Sequence, residues 1–199
     1  MAGTRWKIVS VRKMPPEYRG TPRPAIAVAG RSNVGKSSLI NALLGRKAVA
    51  TSKQPGRTRN VQRLLINDHW DLVDLPGYGF AKVDEGVRVR WRDLVTDFLS
   101  DHGNLRCVLV LVDVRRGLGD LDREMIQWCA DEGVRASVIL TKADKLGRGQ
   151  LSRTIREVGG QVGDKVPVFP VSATKHDGLE FLQDAIAEWV TEDAFRSAT

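Results

Sequence analysis

Two glycines, a lysine and a serine stand at fixed spacing in Gly30-Arg31-Ser32-Asn33-Val34-Gly35-Lys36-Ser37, with Ser38 directly after. Residues of these types in this pattern do phosphate chemistry. Glycines lack a Cβ, so backbone N–H groups can close on an anion, and the positive end of a following helix adds to the pull. Lys36 supplies a charge for the β- and γ-phosphates, and the Ser37 hydroxyl is a hard oxygen for Mg²⁺. The pattern carries weight only between a strand and a helix. Both flanks read that way: Ala25-Ile26-Ala27-Val28 is a short apolar run, and Leu39, Leu43 and Leu44 keep helical spacing. A chance glycine turn ahead of a helix is the minor alternative. The string predicts a bound nucleoside triphosphate.

The base is indicated further along. Thr141-Lys142-Ala143-Asp144 follows the strand-like run Ala136-Ser137-Val138-Ile139-Leu140. An Asp there can accept two hydrogen bonds, from the guanine ring N–H and its exocyclic amine. Adenine has no matching donor pair and would leave the carboxylate desolvated and unpaired. Lys142 would lie along the base plane and reach the phosphate loop. Val171-Ser172-Ala173, after Val166-Pro167-Val168-Phe169, can offer a backbone N–H to the guanine carbonyl. Each string is weak alone; their order downstream of the phosphate loop favours guanine over adenine.

Between them lies Asp74-Leu75-Pro76-Gly77, after Trp70-Asp71-Leu72-Val73. Asp74 can hold Mg²⁺ through a water, and the Gly77 N–H can approach the γ-phosphate. The alternative is an ordinary Pro-Gly turn. In the loop from Ala50 to Asn60, Thr58 is the candidate for the hydroxyl that completes the Mg²⁺ shell when γ-phosphate is present, with Gly56, Arg57, Arg59 and Asn60 around it. Thr51 is the runner-up but sits too early relative to the next strand. Lys36, Thr58 and Gly77 are thus the candidate catalytic groups, and Ser37, Thr58 and Asp74 the candidate metal ligands. The residue after Gly77 is Tyr78, where Ras-type sites use a Gln to orient the attacking water. A Tyr cannot do this, so intrinsic turnover on the order of 10⁻⁴–10⁻² s⁻¹ or below is expected. His69, His102 and His176 lie outside these strings.

Strands are predicted near 25–29, 61–66, 70–74, 107–112, 136–141 and 166–171, and helices near 36–44, 87–100, 120–131, 150–161 and 178–191. Residues 61–74, turning at Asn67-Asp68-His69, read as an antiparallel hairpin at the sheet edge. The rest predicts an α/β fold: a mostly parallel, six-stranded, doubly wound sheet with one antiparallel edge strand, helices on both faces, and the ligand at the strand C-terminal ends. A chain of 199 residues with 42% hydrophobic content can bury one full core. No run approaches the ~20 apolar residues of a membrane span, and Met1-Ala2-Gly3-Thr4-Arg5-Trp6-Lys7 has no apolar signal segment. Cys107 and Cys129 read as small apolar core residues. The profile is cytoplasmic.

The net charge of +7 is unevenly placed. Residues 1–24 hold six basic side chains against Glu17, a net +5, leaving +2 for the other residues. Residues 46–63 hold Arg46, Lys47, Lys53, Arg57, Arg59 and Arg63 and no acid. A basic loop that also senses γ-phosphate would couple nucleotide state to a polyanion; the alternative is an ordinary solvated surface.

Taken together, Gly30–Ser38, Thr51–Thr58, Val73–Gly79 with Ala81-Lys82, and Leu140–Lys145 resemble the TRAFAC-class GTPases, and more narrowly the EngB (YihA/YsxC) family of bacterial ribosome-assembly GTPases. The resemblance covers nearly the whole chain. It implies a three-layer P-loop NTPase fold of the Ras-like G-domain kind over residues 25–199, with residues 1–24 a basic extension packing on it. It further implies GTP and GDP as ligands, Mg²⁺ as cofactor, a ribosomal subunit (the large one) and its rRNA as partners, a role in growth and cell division, and a monomer that uses neither DNA nor membrane. The alternative is a division-associated switch that binds proteins rather than rRNA. In related GTPases an Asn placed like Asn33 resembles the ligand of a K⁺ ion, so Asn33 and the Arg57–Thr58 loop form a candidate K⁺ site; the alternative is that Asn33 braces the loop. Members usually follow the switch Thr with Gln and then an Asn-Phe pair. Here Arg59 and Gln62-Arg63 stand instead, a departure that falls on the switch surface rather than on nucleotide binding.

Overall fold

The computed structural model describes residues 10–14, 23–50, 61–78 and 104–191. The predicted helix near 87–100 and the loop holding Thr58 lie outside them. The described elements are β1 (Val11–Lys13), β2 (Ala25–Gly30), α1 (Lys36–Leu44), β3 (Gln62–Ile66), β4 (Trp70–Asp74), β5 (Leu105–Asp113), α2 (Asp120–Asp131), β6 (Arg135–Thr141), a single 3₁₀ turn (Ala143–Lys145), α3 (Arg148–Val162), β7 (Val168–Pro170) and α4 (Leu179–Thr191).

The strands form one sheet in the order β1-β3-β4-β2-β5-β6-β7. β4, β2, β5, β6 and β7 pair in parallel, and β3 runs antiparallel to both of its neighbours. The hairpin is present, and its turn is of the kind that matches strand twist: Asn67 and Asp68 have φ of 51° and 60°, and the His69 N–H donates to the Ile66 carbonyl at 3.0 Å. One strand was not predicted. Val11–Lys13, read from sequence as part of the basic extension, pairs with β3 as a seventh strand outside the hairpin. Three residues ending in Arg-Lys carry too little alternation to announce a strand.

Side-chain alternation across the sheet builds the three layers. Ile26, Val28, Leu109, Leu111 and Ile139 point to the face covered by α1 (Leu39, Ile40, Leu43) and α4 (Leu182, Ile186, Trp189). Ala27, Ala29, Val108 and Val110 point to the other face, against Met125 and Cys129 of α2. Val138, Leu140 and Val112 continue that face against Val158 of α3. β2 is buried along its whole length because it lies between β4 and β5 with helices over both faces. The parallel register sets Val28 beside Asp74 and Asp113 beside Thr141, so the chain leaves β2, β4, β5 and β6 along one rim. That rim is where an open α/β sheet binds its ligand.

Candidate functional site

The phosphate loop bridges β2 and α1, and its glycines are forced by close packing. A Cβ on Gly30 would lie 2.9 Å from the Leu111 Cβ and 3.1 Å from its carbonyl oxygen. Gly35 has φ of 105°, a left-handed conformation that an L side chain resists, and α1 starts at the next residue with no side chain capping it. Its first N–H groups are thus left for an anion rather than for a capping oxygen. Val34 is buried at 4% and anchors the loop, while Arg31, Ser32 and Ser37 are half-buried and Asn33 and Ser38 are exposed.

Lys36 and Asp74 meet at the centre of this end. Their ammonium and carboxylate form an ion pair in which the side chains are only 9% and 2% exposed. Burial outweighs the neighbouring ammonium and raises the Asp74 carboxyl above its ordinary value. After β4 the chain stays against the phosphate loop. The Leu75 N–H donates to the Val28 carbonyl at 3.1 Å, and Leu75 and Pro76 are buried. A Cβ on Gly77 would come within 3.2 Å of the Ser32 Oγ, so Gly77 abuts the phosphate loop closely.

The other end is built by the turn after β6 and the loop after β7. The Ser172 hydroxyl donates to the Asp144 carboxylate at 2.7 Å, and the Lys145 ammonium lies 3.1 Å from it. Both hold the Asp144 carboxyl below its ordinary value, the Ser172 bond most of all. Ala143 donates its N–H to the Val171 carbonyl at 3.0 Å, and the Ser172 N–H donates to the Asp177 carbonyl at 2.9 Å, which closes the loop that carries Ala173. Gly178 is needed here, because a Cβ would fall 2.2 Å from the Pro170 carbonyl oxygen.

Two contacts tie the ends together. The Thr141 hydroxyl donates to the Val34 carbonyl at 2.7 Å, and the Lys142 ammonium donates to the Asn33 carbonyl at 2.9 Å. The same ammonium reaches the Asp113 carboxylate at 2.9 Å, which also takes the Arg115 guanidinium at 2.7 Å. Arg115 first, and Lys142 after it, hold Asp113 well below the usual carboxylate range. Sequence reasoning missed Asp113, although an acid ending the apolar run Cys107–Val112 was a signal that could have found it. The structure thus gathers Gly30–Ser38, Asp74–Gly77, Thr141–Asp144 and Val171–Ala173 on one rim. Gly56, Arg57, Thr58, Arg59 and Asn60 lie outside the described residues.

This arrangement presents an N–H cradle with a buried cation at one end and an ionised acceptor at the other, a fit for a purine nucleotide with a charged tail. The donors near the phosphate end, the Ser37 hydroxyl and the buried Asp74 carboxylate, are the hard oxygens that suit Mg²⁺. Comparison with known proteins gives the same answer. A sequence model for a 50S ribosome-binding GTPase family matches residues 25–142, and one for the GTP-binding domain of elongation factor Tu matches residues 96–192. The chain is 40% identical over 186 residues to a probable GTP-binding protein EngB of Lachnospira eligens, covering 92% of this chain and 87% of the relative. It is 44% identical over 178 residues to the probable EngB of Pelotomaculum thermopropionicum, covering 87% and 89%. A crystal structure of a probable EngB superposes with a TM-score of 0.69 at 29% identity over 83% of this chain and 98% of that one. Aquifex aeolicus Era bound to GDP and aluminium fluoride superposes with a TM-score of 0.68 at 25% identity, covering 83% and 56%. A GTPase by fold and by kinship alike, the chain belongs to the EngB family of GTP-binding proteins.

Proposed function

We propose that this GTPase is a nucleotide-gated assembly factor for the large ribosomal subunit, docking on rRNA in its GTP state, leaving after hydrolysis, and supporting growth and division from the cytoplasm. The observation that carries this is the placement of its basic residues. Arg12 and Lys13 of β1 are exposed, Arg12 is paired with Asp68, and β1 is hydrogen-bonded to β3, the strand into which the acid-free basic segment 46–63 leads. The Lys13 charge therefore sits beside the strand that follows the segment holding Thr58, and in this reading the two basic stretches form one surface coupled to the γ-phosphate. The description of the matching family as 50S ribosome-binding supports the same reading.

In this reading Ser37, Thr58 and Asp74 hold Mg²⁺, which when bound neutralises charge on the β- and γ-phosphate oxygens. Lys36 holds the same phosphates, the Gly77 N–H contacts the γ-phosphate, and Asp144 reads guanine. With Tyr78 in place of Gln, hydrolysis by the free protein is slow and waits on a partner. Asn33 with the Arg57–Thr58 loop would seat a K⁺ that acts on the developing charge; turnover equal in K⁺ and Na⁺ at matched ionic strength would remove that ion from the scheme.

The test is sedimentation of the protein with separated ribosomal subunits in a non-hydrolysable GTP analogue, GDP or the matching ATP analogue. Co-migration with the large subunit only in the GTP analogue is the expected result. No co-migration in any state would instead favour a division-associated switch that binds proteins.

A further inference from the structure

Tyr78 follows Gly77 and enters the scheme above only as the residue that stands in place of a Gln, yet it is held at its backbone and its hydroxyl alike. Its N–H donates to the Gly30 carbonyl at 3.2 Å, and its carbonyl accepts the Ser32 N–H at 2.9 Å, so its backbone is bracketed by the phosphate loop on both sides. Its ring is 3% exposed and packs with Val73, Leu75, Met125 and Cys129. Its hydroxyl donates to Asp122 Oδ1 at 2.5 Å. Asp122 is itself 1% exposed, and its second oxygen accepts the Gly119 N–H at 2.8 Å, at the start of α2. The Arg31 guanidinium of the phosphate loop lies over the same glycine, where a Cβ would meet its Nη1 at 2.9 Å. The residue after Gly77 and the start of α2 thus meet at one buried carboxylate, and the phosphate loop packs beside them through Arg31 at Gly119.

We infer that Tyr78 is a positioning residue for γ-phosphate recognition: its bond to Asp122 clamps Gly77 against the phosphate loop before the nucleotide arrives. The inference rests on the assignment of Gly77 as a γ-phosphate contact and not on the ribosomal reading. The physical reason is ordering cost. A segment already fixed at its N–H, carbonyl and hydroxyl loses little freedom when a ligand contacts it, whereas a loosened one must be ordered out of the binding energy. Only a nucleotide with a γ-phosphate touches Gly77, so the clamp favours GTP over GDP rather than both alike. A phenol in this place does what a Gln could not, since a Gln side chain turned to the attacking water cannot also reach Asp122.

The test is equilibrium titration of a non-hydrolysable GTP analogue and of GDP against the full-length wild type, Tyr78→Phe, Asp122→Asn and Gly77→Ala. Tyr78→Phe keeps the packed ring and removes one hydrogen bond, so affinity for the analogue is expected to fall about three- to tenfold while GDP stays within about twofold. Asp122→Asn can accept from Gly119 and donate to the Tyr78 hydroxyl, so it replaces a charge-assisted bond with a neutral one and is expected to shift the same ratio in the same direction by less; it carries the test if Tyr78→Phe does not fold. A merely structural role would weaken both nucleotides together. Equal losses for the two nucleotides, or no loss, in both variants overturn the inference. If Gly77→Ala is then still selective against the GTP analogue, only the clamp has failed. If it is not selective, the assignment of Gly77 has failed as well.

Discussion

Asp144 and Asp74 lie at opposite ends of one rim and are handled in opposite ways. Asp144 takes a hydroxyl hydrogen bond from Ser172 and a nearby ammonium from Lys145, which favour its ionised form and aim it before any base arrives. Asp74 is buried against Lys36, and burial dominates, so its carboxyl is raised. The base end is therefore arranged in advance. Under the proposed assignment, binding at the phosphate end is an exchange: the phosphates compete for Lys36, and a divalent cation competes for Asp74. An arranged end suits recognition of a base common to GTP and GDP. An end that must trade partners suits the part of the ligand that changes on hydrolysis.

The largest effect is expected at the traded pair. Lys36→Ala removes the proposed phosphate contact and leaves Asp74 buried without its cation, so nucleotide affinity should fall by at least about 100-fold. Thermal stability should fall with it, because breaking a buried pair from one side costs about 3–5 kcal/mol. Titration with a fluorescent GTP analogue and a melting curve read both. Affinity within a few fold of wild type would mean that the Lys36–Asp74 pair is not in competition with the phosphates.

A smaller effect is expected at the arranged end. Asp113→Asn keeps the shape but deprives Lys142 and Arg115 of a charged partner, which should weaken GTP and GDP alike by about three- to tenfold. A loss confined to GTP would contradict the separation of the two ends, since Asp113 supports the residue expected to lie along the base.

The smallest effect is in pH dependence, where the ends differ in sign. Asp113 and Asp144 are lowered on folding, so their contribution to stability is complete above about pH 4 and is lost as pH falls through their folded values. Asp74 is raised, so its ionisation costs stability as pH rises from about 4 to its folded value. Melting temperatures of Asp113→Asn between about pH 3 and 5 should therefore change less steeply than those of wild type. An acid limb of unchanged slope would show that Asp113 does not contribute in this way.

Much of this was legible in sequence. The phosphate loop and the guanine-reading string are local: each needs a few residues of set chemistry between a strand and a helix, and periodicity located those flanks. The six strands came from short apolar runs, and the described helices from apolar residues at helical spacing. What escaped was whatever depended on partners distant in sequence. The edge strand Val11–Lys13 exists because it pairs with Ile66, Leu65 and Leu64, and nothing within three residues announces that. Asp113, just past the predicted strand near 107–112, was passed over, and its link to Lys142 exists only in the fold. Tyr78 was noticed for the Gln it replaces, while nothing in the sequence singled out Asp122.

By itself the sequence determined the chemistry available: which residues can cradle phosphate, accept guanine and ligate a hard cation, and on which elements they sit. These follow from residue type and short spacing, which act along the chain. Only the tertiary structure decided how each charge is matched, giving Asp74 to Lys36, Asp113 to Lys142 and Arg115, and Asp122 to Tyr78. The reason is that burial and pairing set the state of an ionisable group, and apart from the local Arg115–Asp113 pair both are fixed by neighbours tens of residues away that only the packed sheet and helices bring within a hydrogen bond.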